Sequence, residues 1–212
     1  MRDFPMFSTS NGVASLVLSQ IPYSGIAYIT IRASQTPDLL LSECVEFCVA
    51  AGAEKIYATG DPCLQAYPEH TRILQMRCET ANIEQSDCAL FPATEKTLEQ
   101  WRRIYNEKMA DVPNASYMSI AAAQKRLQDG GMYFVHRSGM LLGIGLIDGN
   151  EIEAVASAVP GSGREIMAAL AHATFADSVQ LKVAATNHRA MRLYRTMGFI
   201  PVAEISVWYR VK

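Results

Sequence analysis

The stretch that decides the fold is EIEAVASAVPGSGREIMAALAHATFADSVQLKVAATNHRAMRLYRTMGF, residues 151–199. It opens with a predicted strand over residues 151–156. After a glycine-bearing turn, residues Ile166, Ala169, Leu170 and Ala173 recur at the spacing of one buried helical face. A second strand is predicted over residues 179–185, and a second helix over residues 187–197, ended by Gly198. The pattern predicts two consecutive strand–helix units.

The turn between the first strand and the first helix is Gly161-Ser162-Gly163, followed by Arg164. Such a turn places free backbone N–H groups and the positive end of a helix dipole where an anion can bind. Arg164 gains nothing from the dipole at a helix start, so a cation there favours a bound phosphate beside it. The alternative is an ordinary strand-to-helix turn with a solvated arginine.

Two signatures in this stretch resemble the acyl-CoA-binding core of the GNAT superfamily of N-acetyltransferases. The family turn, Gln/Arg-x-x-Gly-x-Gly/Ala, is matched from residue 158 to residue 163, with Ala158 in place of the leading Gln or Arg. The family motif Asn-x-x-Ala-x-x-Leu-Tyr-x-x-x-Gly-Phe is matched without a gap by Asn187, Ala190, Leu193, Tyr194, Gly198 and Phe199. The resemblance covers residues 86–212 in element order.

The resemblance implies a mixed α/β fold and transfer of an acetyl group from acetyl-CoA to a primary amine of a small molecule or amino compound by direct attack. It implies that the cosubstrate is bound by Gly161, Ser162, Gly163, Arg164, Asn187 and Tyr194. Backbone N–H groups near Val155 and Ala156 are expected to stabilise the oxyanion.

Tyr194 is the candidate acid, because a phenol with a pKa of about 10 can hold a proton that a thiolate with a pKa of about 8.5 will accept. Asn187 precedes it by two helical turns and faces the same way. The alternatives are a core tyrosine and an asparagine that only caps its helix. Glu151 and Glu153 share one strand face, and Glu153 is our candidate base; two solvated carboxylates are the alternative.

Composition limits the other classes of function. The 212 residues carry a formal net charge of −2, which gives no electrostatic reason to expect a nucleic acid or anionic membrane partner. Cysteines 44, 48, 63, 78 and 88 show no metal-ligand spacing, so we predict a reduced, cytoplasmic protein without a metal site. Only Arg2 is basic near the start and Asp3 follows it, so no signal peptide is expected. A homodimer is compatible with these features.

Residues 1–85 are predicted to be a degenerate, non-catalytic copy of the half-fold, and residues 86–212 the acetyltransferase domain. A shift of 127 residues places Ala58-Thr59 on Ala185-Thr186 and Tyr67 on Tyr194. In this register Ser34-Gln35-Thr36 replaces the glycine turn and Pro68 opposes a continuing helix. The alternative is a chance similarity between the two halves.

The second domain is predicted to follow the order β-α-α-β-β-β-α-β-α-β. Its first helix starts near Thr97, where Thr97 to Gln100 have the spacing of a capping box.

Two rival functions remain. One is an acyl-CoA-binding regulatory module without turnover. The other is a dinucleotide-binding turn, which is disfavoured because the third glycine and the acidic residue about 20 positions on are missing.

Overall fold

The computed structural model describes residues 5–212, so Arg2 and Asp3, on which the expectation of no signal peptide rests, lie outside the described residues. The chain divides into two compact units, one of Met1–Ile73 with Ile205–Lys212 and the other of Leu74–Glu204. None of the helices within residues 5–212 is long and apolar enough to cross a membrane.

The described residues form eleven strands and six α-helices. The strands are β1 Met6–Thr9, β2 Gly12–Val17, β3 Ile26–Ser34, β4 Lys55–Thr59, β5 Glu69–Glu79, β6 Ala89–Pro92, β7 Met132–Arg137, β8 Met140–Asp148, β9 Glu151–Ser157, β10 Ser178–Ala184 and β11 Ile200–Arg210. The helices are α1 Ile21–Ser24, α2 Pro37–Ala50, α3 Leu98–Met109, α4 Ile120–Asp129, α5 Gly163–Ala173 and α6 His188–Thr196.

The first unit is built around one parallel strand pair. Its strand order is β1-β2-β3-β4-β11, and β3 and β4 run parallel with α2 between them in sequence. The pairing of β3 with β4 is continuous from Ile26–Lys55 to Thr30–Thr59. Leu40, Cys44 and Cys48 on α2 are fully buried in the apolar cluster of this unit. The last strand of the chain closes this unit, antiparallel to β4.

The second unit repeats the strand–helix–strand order with more helices. Its strand order is β5-β10-β9-β8-β7-β6, in which β6 to β9 are antiparallel to their sequence neighbours and β9 and β10 are parallel. Helices α5 and α6 pack in one buried cluster of apolar residues that contains Ile166 and Met191. Helices α3 and α4 pack in another, around Trp101 and Ala123. The mixed α/β fold is confirmed.

Local details depart from the sequence predictions at three places. The capping box at Thr97 is wrong: its Oγ1 accepts a hydrogen bond from the Thr94 N–H at 2.9 Å and caps no helical N–H group. Pro22 and Ser24, residue types that favour a turn, lie in the short helix α1, which Gly25 ends at φ 68°. Strand β1 was not predicted, because its residues alternate too few apolar side chains to stand out.

In the first unit, the segment that follows β4 is a five-residue 3₁₀ helix, Pro62–Ala66, where the second unit has α6 after β10. It stops at Tyr67, directly before Pro68, whose missing N–H opposes a longer helix. The two units therefore share the same order up to this point and differ where α6 stands in the second unit. That residues 1–85 are a degenerate copy of the same half-fold stays a prediction.

Candidate functional site

The amino end of α5 carries backbone N–H groups that no residue of the described chain satisfies. Ser162 stands at the N-cap position but its side chain does not cap the helix. The N–H groups of Gly163, Arg164 and Glu165 make no hydrogen bond within residues 5–212. Because these groups point out of the helix start and the helix dipole is positive there, the end of α5 can bind an anion.

The turn before α5 is held in place by Ser162. Its hydroxyl donates to the Val159 carbonyl at 2.7 Å and lies 3.2 Å from the Leu142 carbonyl of β8. Ser162 is buried, and its own N–H lies 3.3 Å from the Val159 oxygen. Gly161 adopts φ 89°, a conformation that side chains other than glycine disfavour. Ser162 therefore shapes the turn, while Gly161 permits it.

Arg164 lies at the start of α5, where its side chain was expected to contact a bound phosphate. The side chain instead turns to the carboxyl end of α6. Its Nη2 donates to the hydroxyl of Thr196 at 2.8 Å and to the Thr196 carbonyl at 3.2 Å. Thr196 ends α6, where the helix dipole is negative and a cation is stabilising. In this conformation Arg164 caps α6 and is not aimed at the free N–H groups of α5.

Strands β9 and β10 separate after a single residue pair. They pair in parallel only at Glu151 and Gln180, next to a bond from the Gln180 N–H to the Asn150 carbonyl at 3.0 Å. Both strands continue for several residues beyond this pair without further bonds between them. In the first unit, β3 and β4 stay paired over five positions. The second unit therefore has a gap in its sheet that the first unit lacks.

The gap leaves the backbone of Val155 free. The Ala158 N–H donates to the Leu142 carbonyl at 2.8 Å, and opposite residues of an antiparallel pair alternate between bonded and non-bonded. By this alternation the Ala156 N–H is bonded to β8, whereas the Val155 N–H points away from β8. Of the two predicted oxyanion donors, the Val155 N–H thus faces the gap, whereas the Ala156 N–H is used in the pairing of β9 with β8.

A β-bulge in β9 turns Glu153 toward α3 and α4. The register shifts from Leu146–Ala154 to Ile147–Ile152, so Glu153 has no opposite residue on β8. Its carboxylate lies 2.6 Å from Nη2 of Arg126 on α4, with both side chains mostly buried. Glu151, the other candidate, lies 2.8 Å from the Lys182 ammonium on the neighbouring strand.

Tyr105 of α3 completes this cluster, which we name the Arg126 cluster: Arg126, Glu153 and Tyr105. Burial raises the pKa of Tyr105, the Glu153 charge raises it further, and the Arg126 charge lowers it. Glu153 was predicted from the sequence, whereas neither of the other two residues was. No sequence signal distinguished them, because a basic residue in the last helical turn and an aromatic residue on an apolar stripe are both commonplace.

Helix α6 lies against the start of α5. Asn187 caps α6 by accepting from the Ala190 N–H at 3.2 Å, so the capping prediction is confirmed. A Cβ on Gly163 would lie 3.1 Å from Leu193 Cδ2 and 3.6 Å from Ser157 Oγ, which shows how closely α6, α5 and the end of β9 approach.

Tyr194 follows Leu193 and packs beside Phe199, with ring centroids 5.9 Å apart. Burial raises its pKa to about 12. At neutral pH the hydroxyl therefore keeps its proton. Its ring and the Val155 side chain both pack against the apolar cluster of α5 and α6. This arrangement is compatible with an acid beside the gap.

The remaining candidate features do not converge on this region. His172 has its Nε2 3.1 Å from the Ile83 carbonyl, as expected of a satisfied histidine. No cluster of potential metal ligands occurs among residues 5–212. A cavity of about 350 Å³ is lined by Arg164, Glu165, Thr196 and the segment 82–87, but Val155, Gly161 and Tyr194 do not line it. The cavity is thus separate from the gap.

Comparison with known proteins yields structural likeness alone. No protein-family profile matches the chain, and no curated protein sequence matches it. A GCN5-related N-acetyltransferase from Kribbella flavida is similar over 99% of this chain and 90% of its own, with 16% identity and a TM-score of 0.61.

Two further solved structures resemble the chain. A GCN5-related N-acetyltransferase from Anabaena variabilis is similar over 95% of this chain and 60% of its own, with 10% identity and a TM-score of 0.64. A tandem GNAT protein from the clavulanic acid biosynthesis pathway is similar over 95% of this chain and 78% of its own, with 12% identity and a TM-score of 0.53. The chain has the fold of the GNAT superfamily of N-acetyltransferases.

Proposed function

We propose that this protein is an N-acetyltransferase that moves the acetyl group of acetyl-CoA to a primary amine of a small molecule or amino compound by direct attack. The single observation that carries the proposal is the gap between β9 and β10, into which the Val155 N–H is free to donate. A peptide N–H fixed by the sheet on one side only is a preorganised donor for a thioester carbonyl and for the oxyanion that attack creates.

The diphosphate of acetyl-CoA has a complementary site at the start of α5. The free N–H groups of Gly163, Arg164 and Glu165 supply donors, and glycine at 161 and 163 leaves the backbone accessible. Helix α6, which contacts this end through Leu193, adds the exposed cations Arg189 and Arg192. The charge of this region therefore suits a polyanionic nucleotide.

We assign Tyr194 as the general acid that protonates the departing thiolate. A neutral phenol with its pKa raised to about 12 holds this proton throughout the neutral range and remains a hydrogen-bond donor to a developing negative charge on sulfur. Asn187, two turns earlier on α6, serves chiefly as a cap. On the acceptor side, Glu153 lies two residues before Val155 on β9, and we assign it to the amine.

The test is in two stages. Calorimetry measures acetyl-CoA binding to the whole chain, and release of free thiol is then followed with a panel of amines. Transfer to an amine supports the proposal. Binding without turnover on any amine would favour the regulatory module, and absence of binding would refute both.

A further inference from the structure

The Arg126 cluster places a mostly buried ion pair on the α3 and α4 side of β9. Ala154 and Ala156 of β9 pack in the apolar cluster of α3 and α4, whereas Ile152 and Val155 pack in that of α5 and α6. The side chain of Glu153 contacts Arg126 of α4, so it lies on the α3 and α4 side. Strand β9 thus separates two chemically different faces.

Because a gap between two strands interrupts the sheet through its whole thickness, we expect ligands to reach it from either face. If the thioester is anchored at the start of α5, an acceptor must approach the Val155 N–H from the face that holds α3 and α4. Glu153 lies two residues before Val155 on the strand, a distance of about 7 Å. The Glu153 carboxylate can therefore hold an amine close to the carbonyl that its nitrogen has to attack.

The guanidinium of Arg126 can bind an anionic group of that acceptor. One of its nitrogens is 2.6 Å from Glu153, and a quarter of its side chain remains exposed. A guanidinium carries five N–H donors in a planar fork, so the contact with Glu153 leaves donors for another anion. A partly buried cation of this kind stabilises a carboxylate through charge-assisted hydrogen bonds.

We propose that the acceptor is a free α-amino acid, with its amino group at Glu153 and its carboxylate at Arg126. The inference rests on the proposed function and narrows its acceptor. An α-amino acid carries both charges on one carbon atom, which matches a carboxylate and a guanidinium in direct contact. The ammonium group gives one proton to Glu153, the neutral nitrogen attacks the acetyl carbonyl carbon, and the carbon–sulfur bond breaks as the amide forms. The departing thiolate takes a proton from Tyr194 and leaves as free thiol, while the nitrogen releases its second proton to solvent, from which Tyr194 is reprotonated.

The same charge pattern excludes other amines. A polyamine would bring a second cation to Arg126, which like-charge repulsion opposes. A peptide amino terminus has an uncharged amide where the free amino acid has its carboxylate, so the Arg126 donors that Glu153 does not use would meet no substrate anion. Arg126 is therefore a specificity-determining residue whose partner is the substrate carboxylate.

The experiment compares, for the wild-type chain, each amino acid with its amide and with the decarboxylated amine. The amino acid should be preferred. Replacing Arg126 with glutamine should raise KM for the amino acid and lower kcat/KM about 10²-fold, as for the loss of a charge-assisted hydrogen bond. The amide and the amine should lose less, because Arg126 can affect them only through Glu153, so the preference for the amino acid should shrink. Lys125→Gln, which removes a neighbouring exposed charge from α4, is the matched control and should change none of these constants.

Arg126→Lys keeps the charge without the fork and should recover part of the selectivity. If Arg126→Gln does not fold, this variant and the wild-type panel decide the question. Equal kcat/KM for the amino acid, its amide and its amine would overturn the inference while leaving the transferase intact. Acetyl-CoA binding without transfer to any acceptor would overturn the proposed function, and the inference with it.

Discussion

Gly163→Val tests whether the start of α5 holds the nucleotide of acetyl-CoA. Gly163 is the first residue of the helix, and side chains there point back toward the amino end. A Cβ would already lie 3.1 Å from Leu193 Cδ2. The two methyl groups of valine would therefore occupy the space over the free N–H groups, where a phosphate oxygen has to approach.

The expected magnitude follows from the donors that are lost. If valine prevents the N–H groups of Gly163 and Arg164 from reaching the phosphate, two hydrogen bonds to a charged group disappear, each contributing about 1.5–3 kcal/mol. At about 1.4 kcal/mol for each tenfold change, Kd for acetyl-CoA should rise by at least about 10²-fold. Crowding against Leu193 should also lower the free energy of unfolding by about 1–3 kcal/mol.

Calorimetry with acetyl-CoA measures Kd, and thermal unfolding monitored by circular dichroism checks that the variant is folded. Gly163→Ala is the matched control, because its single methyl group meets only the flexible end of Leu193 and Ser157 Oγ at 3.6 Å. The alanine variant should bind nearly as tightly as the wild type. A folded valine variant with unchanged Kd would show that the nucleotide binds elsewhere.

Three more predictions concern Tyr194 and the first unit. Tyr194→Phe should lower kcat about 10²-fold with little change in acetyl-CoA affinity, because the phenol acts in the transition state. Undiminished turnover in a stopped-flow assay would show that Tyr194 only packs in the core. Because burial raises its pKa from 10.0 to about 12, the stability that neutral Tyr194 contributes is complete below pH 10 and is lost as pH rises toward 12. Melting temperatures across this range should therefore fall less steeply for Tyr194→Phe than for the wild type, and identical slopes would contradict the assignment. Since β3 and β4 stay paired over five positions and leave no gap, titration should give one acetyl-CoA per chain, and two equivalent sites would contradict this.

The sequence predicted the elements that depend on local patterns. Asn187 was expected to cap α6, and it does so because an asparagine side chain accepts from an N–H three residues on, whatever packs around it. Pro68 was expected to oppose a helix in the first half, and the 3₁₀ helix ends before it because a proline ring and its missing N–H cannot continue a helix. The capping box at Thr97 failed because Thr94, three residues earlier, offered its hydroxyl a competing partner.

The sequence by itself determined most of the longer strands and helices, because periodicity, caps and breakers act within a few positions of the chain. Only the tertiary structure decided what these residues do for one another. The contact of Arg126 with Glu153 joins a helix and a strand that are distant in sequence, and Arg164 turned to Thr196 because the end of α6 lay within its reach. The separation of β9 from β10 has no local signature either, since strand pairing depends on how whole elements pack.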